Sequence, residues 1–170
     1  MFVPGGQGVG AIMLAAGTGS LTGGYISESN GGSYSAGWWG GLVTGAAMGA
    51  GALVGGNMLL AAYTAEYATW GTIGLYFGSF AVAGAIGYAG GFAGSAVQQQ
   101  LQFGKVDLTV ANQSGLMSMV FTMAAVIPGL YTGALNTMGP AGIFFGGTFS
   151  ILLEALSTSI QTQINLIQGY

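Results

Sequence analysis

The sequence predicts an all-α fold, a multi-span helical membrane bundle of four to five Gly-rich hydrophobic helices. Three observations carry that expectation. Only five of the 170 side chains are formally charged, Glu28, Glu66, Lys105, Asp107 and Glu154, whereas an average soluble domain is about 25% charged. A globule stays in water behind a charged, patch-free surface, and 3% charge cannot supply one. Apolar residues make up 52% of the chain and gather into five stretches, and 35 glycines recur among them at helical spacing. Strict apolar–polar alternation is absent, which disfavours a transmembrane β-barrel.

The elements follow in order. A first, short and glycine-rich stretch runs from Gly8 to Gly24, and a loop from Tyr25 to Ser35 follows it. The second stretch, Trp38 to Tyr63, is the best span candidate. A brief link around Glu66 leads to the third, Trp70 to Val97. The segment from Gln98 to Ser114 is the most polar of the chain and reads as a connector. The fourth stretch is Gly115 to Leu135, with Pro128 expected to kink or end it. The fifth is Ala141 to Leu156, with Pro140 suited to its first turn and a polar tail beyond it. The corresponding units are 1–36, an N-terminal Gly-rich segment with a first span and polar loop; 37–97, a glycine-zipper helical hairpin; 98–114, a polar connector; and 115–170, a C-terminal helical pair and polar tail.

Aromatic placement favours spans. Trp38, Trp39, Tyr63, Tyr67, Trp70 and Tyr88 bracket the second and third stretches, and Trp and Tyr favour membrane–water interfaces because they pair an apolar body with a polar tip. From Trp39 to Tyr63 is about 36 Å of helix, and from Trp70 to Tyr88 about 27 Å. These bracket the roughly 30 Å hydrocarbon core of a bilayer.

Gly41-x-x-x-Gly45-x-x-x-Gly49 is the sharpest local pattern, with Gly51 and Gly55 repeating the spacing on an adjoining face. Residues four apart share one side of a helix, so these glycines form a groove for a second backbone. Such small-residue packing matters in lipid, where apolar burial no longer drives helices together. Gly74/Gly78 and Gly87/Gly91 are further pairs.

Composition also excludes. With one Lys and no Arg, a basic nucleic-acid surface cannot be assembled, so nucleic acid is not an expected partner. Without Cys or His, disulfides, thiolate chemistry and the usual zinc or haem ligands are gone. Gly6, Gly8 and Ala11 approximate a dinucleotide fingerprint, but no strand precedes them. No P-loop exists, since the single lysine is Lys105. No catalytic set can be built, so neither enzyme activity, a cofactor nor a metal site is expected. The first residues lack the basic region of a secretory signal peptide.

Glu154 falls inside the last apolar stretch, and a carboxylate at membrane depth is costly. Ser150, Ser157, Thr158 and Gln161 lie at helical spacing around it, so the group reads as a pore lining or polar seam. The plainer alternative ends the helix near Leu156 and leaves Glu154 close to the interface. Lys105, Asp107 and Glu66 read as solvated loop residues.

Two passages together, Gly84-Ala-Ile-Gly-Tyr-Ala-Gly-Gly-Phe-Ala-Gly-Ser-Ala-Val-Gln-Gln-Gln and Ala125-Val-Ile-Pro-Gly through Ile160, resemble the Gly/Ala-rich apolar region of Rhs (YD-repeat) polymorphic toxins. The resemblance covers roughly residues 37–160. The family's Tyr-Asp repeats, Asp-Pro-x-Gly core end and enzymatic tips are absent from these 170 residues. The resemblance therefore implies a membrane-inserting, pore-forming or translocation-related segment, with a parent Rhs cage and an immunity protein as partners, secreted within a larger toxin. The lipid bilayer and self-association are the partners expected from composition, in the membrane of either the producing or the target cell. Two alternatives stay open: a structural or channel-forming subunit of a membrane complex, of the small translocase-like kind, and a soluble Gly/Ala helical segment encapsulated by a parent protein.

Overall fold

A computed structural model of the chain describes residues 6–65, 69–134 and 140–168, with side chains described at 10–65, 69–127 and 151–168. Within these residues the regular structure is entirely helical, in five helices: α1 Gly6–Ser29, α2 Tyr34–Tyr63, α3 Trp70–Phe103, α4 Leu108–Ala134 and α5 Pro140–Gln168. Three are long and apolar enough to cross a membrane, α2, α3 and the 108–127 part of α4. Sequential helices pack as neighbours, α5 returns to α1, and α2 touches all four others.

Every helix reaches further than its apolar stretch, and the reasons are local. The expected loop from Tyr25 to Ser35 shrinks to four residues, because Ser27 is buried inside the bundle and its hydroxyl donates to the Ser33 carbonyl at 2.8 Å. Gly31, at φ 81°, then turns the chain. The expected polar connector from Gln98 is helical as far as Phe103, with Gln98 and Gln99 buried. α3 ends at Gly104, whose φ of 68° lies in the left-handed region that glycine adopts without strain. α3 begins with a reciprocal capping box, the Thr69 hydroxyl accepting from the Thr72 amide at 3.2 Å. α4 starts at Leu108 rather than Gly115, because the Asp107 carboxylate accepts from the Thr109 and Val110 amides at 2.8 and 3.3 Å. That is an N-cap. The helix also continues through position 128, where proline was expected to interrupt or bend the stretch. Pro140 opens α5, and α5 runs to Gln168, twelve residues past the expected end at Leu156.

Polarity inside the bundle is distributed unevenly. At the Tyr63/Trp70 end, Leu59, Ala83 and Val126 form an apolar cluster with Phe80 packed on it. Toward the other end, where the α1–α2 loop, the α3–α4 connector and the α5 terminus meet, the interior is polar. The connections there are direct: the Ser33 amide donates to Gln102 Oε1 at 2.6 Å and the Asp107 amide to Gln99 Oε1 at 2.7 Å. Outward, the bundle presents large apolar side chains, including Met13, Leu14, Leu21, Phe77, Val120 and Leu152.

The aromatics mark two levels. Tyr63 and Trp70 stand exposed at one end. Trp39 stands half exposed at the other, in a groove shared with Ala96, Val97, Gln100 and Leu101 of α3. From Trp70 to Val97 is about 40 Å of helix, beside about 36 Å from Trp39 to Tyr63 in α2. The second level on α3 is thus near Val97 and not at Tyr88, which sits in mid-helix. Tyr88 stacks on Phe92 and its hydroxyl donates to Asn112 Oδ1 at 2.6 Å, so a neighbouring helix satisfies its polar tip. Trp38 packs edge-on against Trp39. Tyr67 and Glu66 lie outside the described residues.

Candidate functional site: a buried polar seam along α5

α5 carries the seam. Glu154, Ser157, Thr158, Gln161, Thr162 and Asn165 are all buried, at offsets of three, four, seven, eight and eleven from Glu154, which is one face of a helix. Leu152, Leu156 and Ile167 point outward. α5 is therefore amphipathic with its polar face inward, the reverse of a helix on a water-soluble protein. The alternative that ends the helix near Leu156 and leaves Glu154 at the interface does not hold, because Glu154 is mid-helix and 2% exposed. Ser150 belongs to the same helix, but its side chain is outside those described.

The far end of the seam is a hydrogen-bonded knot of α3 and α5. Asn165 donates to Gln98 Oε1 at 2.7 Å and accepts from the Ser95 hydroxyl at 2.6 Å; Gln99 Nε2 donates to Ser95 at 2.9 Å. One turn further in, Gln161 Nε2 donates to the Gly91 carbonyl at 3.3 Å. The Thr44 hydroxyl lies 3.0 Å from both Gln161 Oε1 and the Gly40 carbonyl, so its single proton is shared between them. Buried polar groups ordinarily find partners, and this set binds α2, α3 and α5 together. Beyond it, the Gly19 amide donates to Glu154 Oε1 at 3.1 Å. Gln98 Nε2 and the hydroxyls of Ser114, Ser118, Ser157 and Thr158 are buried without a partner.

The glycines make the room. Side chains at Gly41 or Gly45 would collide with the backbone of α1, at the Gly19 and Ala15 carbonyls respectively, and one at Gly49 would meet the Ala15 methyl at 2.7 Å. At Gly45 a Cβ would also occupy the place of the Glu154 carboxylate. Gly51 and Gly55 face the other way, toward Thr122 and Val126 of α4 and the Ala83 and Ser79 carbonyls of α3. Gly87 and Gly91 receive Thr122 and Ser118 of α4. The pair Gly74/Gly78 differs: Gly74 has nothing within 4 Å of its missing side chain, and Gly78 meets only the Met58 methyl at 3.3 Å. Both lie in the first turns of α3, where no backbone of another described helix approaches within 4 Å of the missing side chain, so the spacing there does not mark a close crossing.

Sequence reasoning missed Gln98, Gln99, Thr162 and Asn165 as interior residues, together with Ser95 and Thr44. The available signal was the period of the tail, in which polar residues continue the stripe of Glu154 at helical spacing while Leu and Ile alternate with them. Asp107, expected in a solvated loop, is exposed and also caps α4.

Among the described residues, the fold and this interior define an all-helical bundle with three membrane-length apolar helices and a polar seam within. No known protein family, curated protein or solved structure matches the chain. Among the described residues no group of three or more acidic, His or Cys side chains gathers to hold a metal.

Proposed function

We propose that this chain is a membrane-inserting bundle, serving as the membrane-entering or translocation-related segment that its resemblance to Rhs-type toxins implies. The observation that carries this reading is the inversion of polarity. Large apolar side chains such as Trp70, Phe77 and Leu152 face outward, whereas glutamines, asparagine, threonines and Glu154 fill the inside. In water that arrangement is wrong on both counts, since it exposes apolar area and buries polar groups. In lipid it is right on both, because the exterior meets hydrocarbon and interhelical hydrogen bonds hold the helices.

Pore formation is the finer form of this proposal, and the seam favours it. Toward the other end the seam gives way to the apolar Leu59–Ala83–Val126 cluster, so conduction would require several copies to assemble or the helices to rearrange.

Flotation with liposomes on a density gradient, followed by a carbonate wash, tests insertion. Carbonate-resistant co-flotation is expected; recovery in the soluble fraction would overturn the reading in favour of an encapsulated soluble segment. Release of an entrapped dye from the same liposomes tests the pore. Stable insertion without release would leave a structural membrane subunit as the better account.

A further inference from the structure

Glu154 is the one acidic side chain among the described residues that the bundle buries. The sequence holds a single basic side chain, Lys105, and it is exposed on the connector. A buried carboxylate persists when it is paired or bonded, and lysine or arginine cannot pair this one. Two backbone carbonyls lie close to it. The carbonyls of Ala15 and Gly41 and the carboxylate Oε1 all lie within 3.0 Å of the positions that side chains at Gly45 and Gly19 would fill. The Ser157 and Thr158 hydroxyls, one turn along α5, are each 1% exposed and without a hydrogen-bond partner. Against these oxygens stands one N–H, that of Gly19.

A single buried carboxylate near backbone carbonyls, with two unpartnered hydroxyls on the same face of its helix, suits a hard cation of one charge. Carboxylate, carbonyl and hydroxyl oxygens are the ligands such ions take, and divalent sites ordinarily recruit more than one carboxylate. The seam also has an end at the surface. At the polar end of the bundle a cleft of about 410 Å³ is lined by Gln99, Phe103, Lys105, Asp107, Leu108 and Gln168. From Gln168 the seam leads inward along α5 through Asn165, Gln161 and Thr158, about 21 Å of helix.

We propose that Glu154, with the Ser157 and Thr158 hydroxyls and the Ala15 and Gly41 carbonyls, binds a small alkali cation that enters from the Gln99–Gln168 end. The site is made inside the bundle, so it does not depend on whether lipid surrounds the protein.

The test is thermal unfolding of the purified full chain in detergent at fixed pH and ionic strength, with choline chloride replaced stepwise by NaCl, KCl or LiCl. A ligand that binds the folded state alone raises the unfolding midpoint saturably with its concentration. Such a rise is expected for at least one alkali cation with the native chain. It is lost in Glu154→Gln, which keeps the shape and removes the charge, and needs higher salt in Ser157→Ala/Thr158→Val. An equal rise in Glu154→Gln, or no rise with any of the three cations, overturns the proposal. Where sodium is among the stabilising cations, sodium-23 NMR of the native chain reads the site without a variant: excess line broadening that lithium or potassium removes supports it, and a line as narrow as in protein-free micelles overturns it. Because both measurements use micelles, their outcome is separate from that of liposome flotation.

Discussion

Gly41 and Gly74 carry the same side chain and the same helical spacing to a second glycine, and their surroundings make them opposites. Gly41 lies where a methyl would strike the Gly19 carbonyl of α1, and Gly74 lies open. Backbone cannot move aside as a flexible side chain does, so Gly41→Ala is expected to destabilise the bundle by about 1–3 kcal/mol, the usual cost of overpacking. Gly74→Ala should be neutral or stabilise by up to about 1 kcal/mol, since alanine is the better helix former. Reversible unfolding in mixed micelles checks both, and equal effects would mean that α1 does not pack on Gly41. The Gly41–Gly45–Gly49 face was legible in the sequence because spacing identifies a helix face. Its mate, α1, was not, because spacing carries no information about which helix arrives. Glu154 shows the same limit. Its position in an apolar stretch was plain, but its depth depended on where α5 ends. Ser157, Thr158 and Gln161 resemble a solvated tail until a neighbouring helix is placed against them.

At the scale of the element, helix ends were the least legible features. All five helices outrun their apolar stretches, chiefly because terminal turns are polar and buried in contact with other polar turns. Gln98, Gln99 and Gln102 end α3 with side chains aimed at α5, the connector and the α1–α2 loop. Composition alone reads such residues as loop. Asp107 is the clearest case, a charged residue in a connector that starts a helix seven residues before the apolar run. Asp107→Ala removes the acceptor for the Thr109 and Val110 amides and should cost about 1 kcal/mol. Hydrogen exchange at those two amides should quicken while exchange in the middle of α4 stays slow. Unchanged exchange at both would show that the cap contributes nothing.

Over the whole molecule, the shortage of charge correctly indicated helices of membrane length, three of which stand among the described residues. It did not indicate that the interior would be polar at one end and apolar at the other, since that division arises only when five helices share a core. The same division gives the bundle a direction. Glu28, Lys105 and Asp107 are exposed at the polar end, whereas the α2–α3 link at the apolar end contains Glu66 as its one charge. Dragging an acidic or basic side chain through the bilayer centre costs about 2.5–3.5 kcal/mol on insertion scales, so one end crosses far more cheaply than the other. A chain inserting from water would therefore lead with the α2–α3 hairpin and leave its polar end behind. The protein has no cysteine, so single labels are clean. After insertion into preformed vesicles, Glu66→Cys should resist an impermeant external maleimide and Lys105→Cys should react with it; the reverse pattern would refute this order. Under the proposed function, a bundle built this way would enter a membrane one way round.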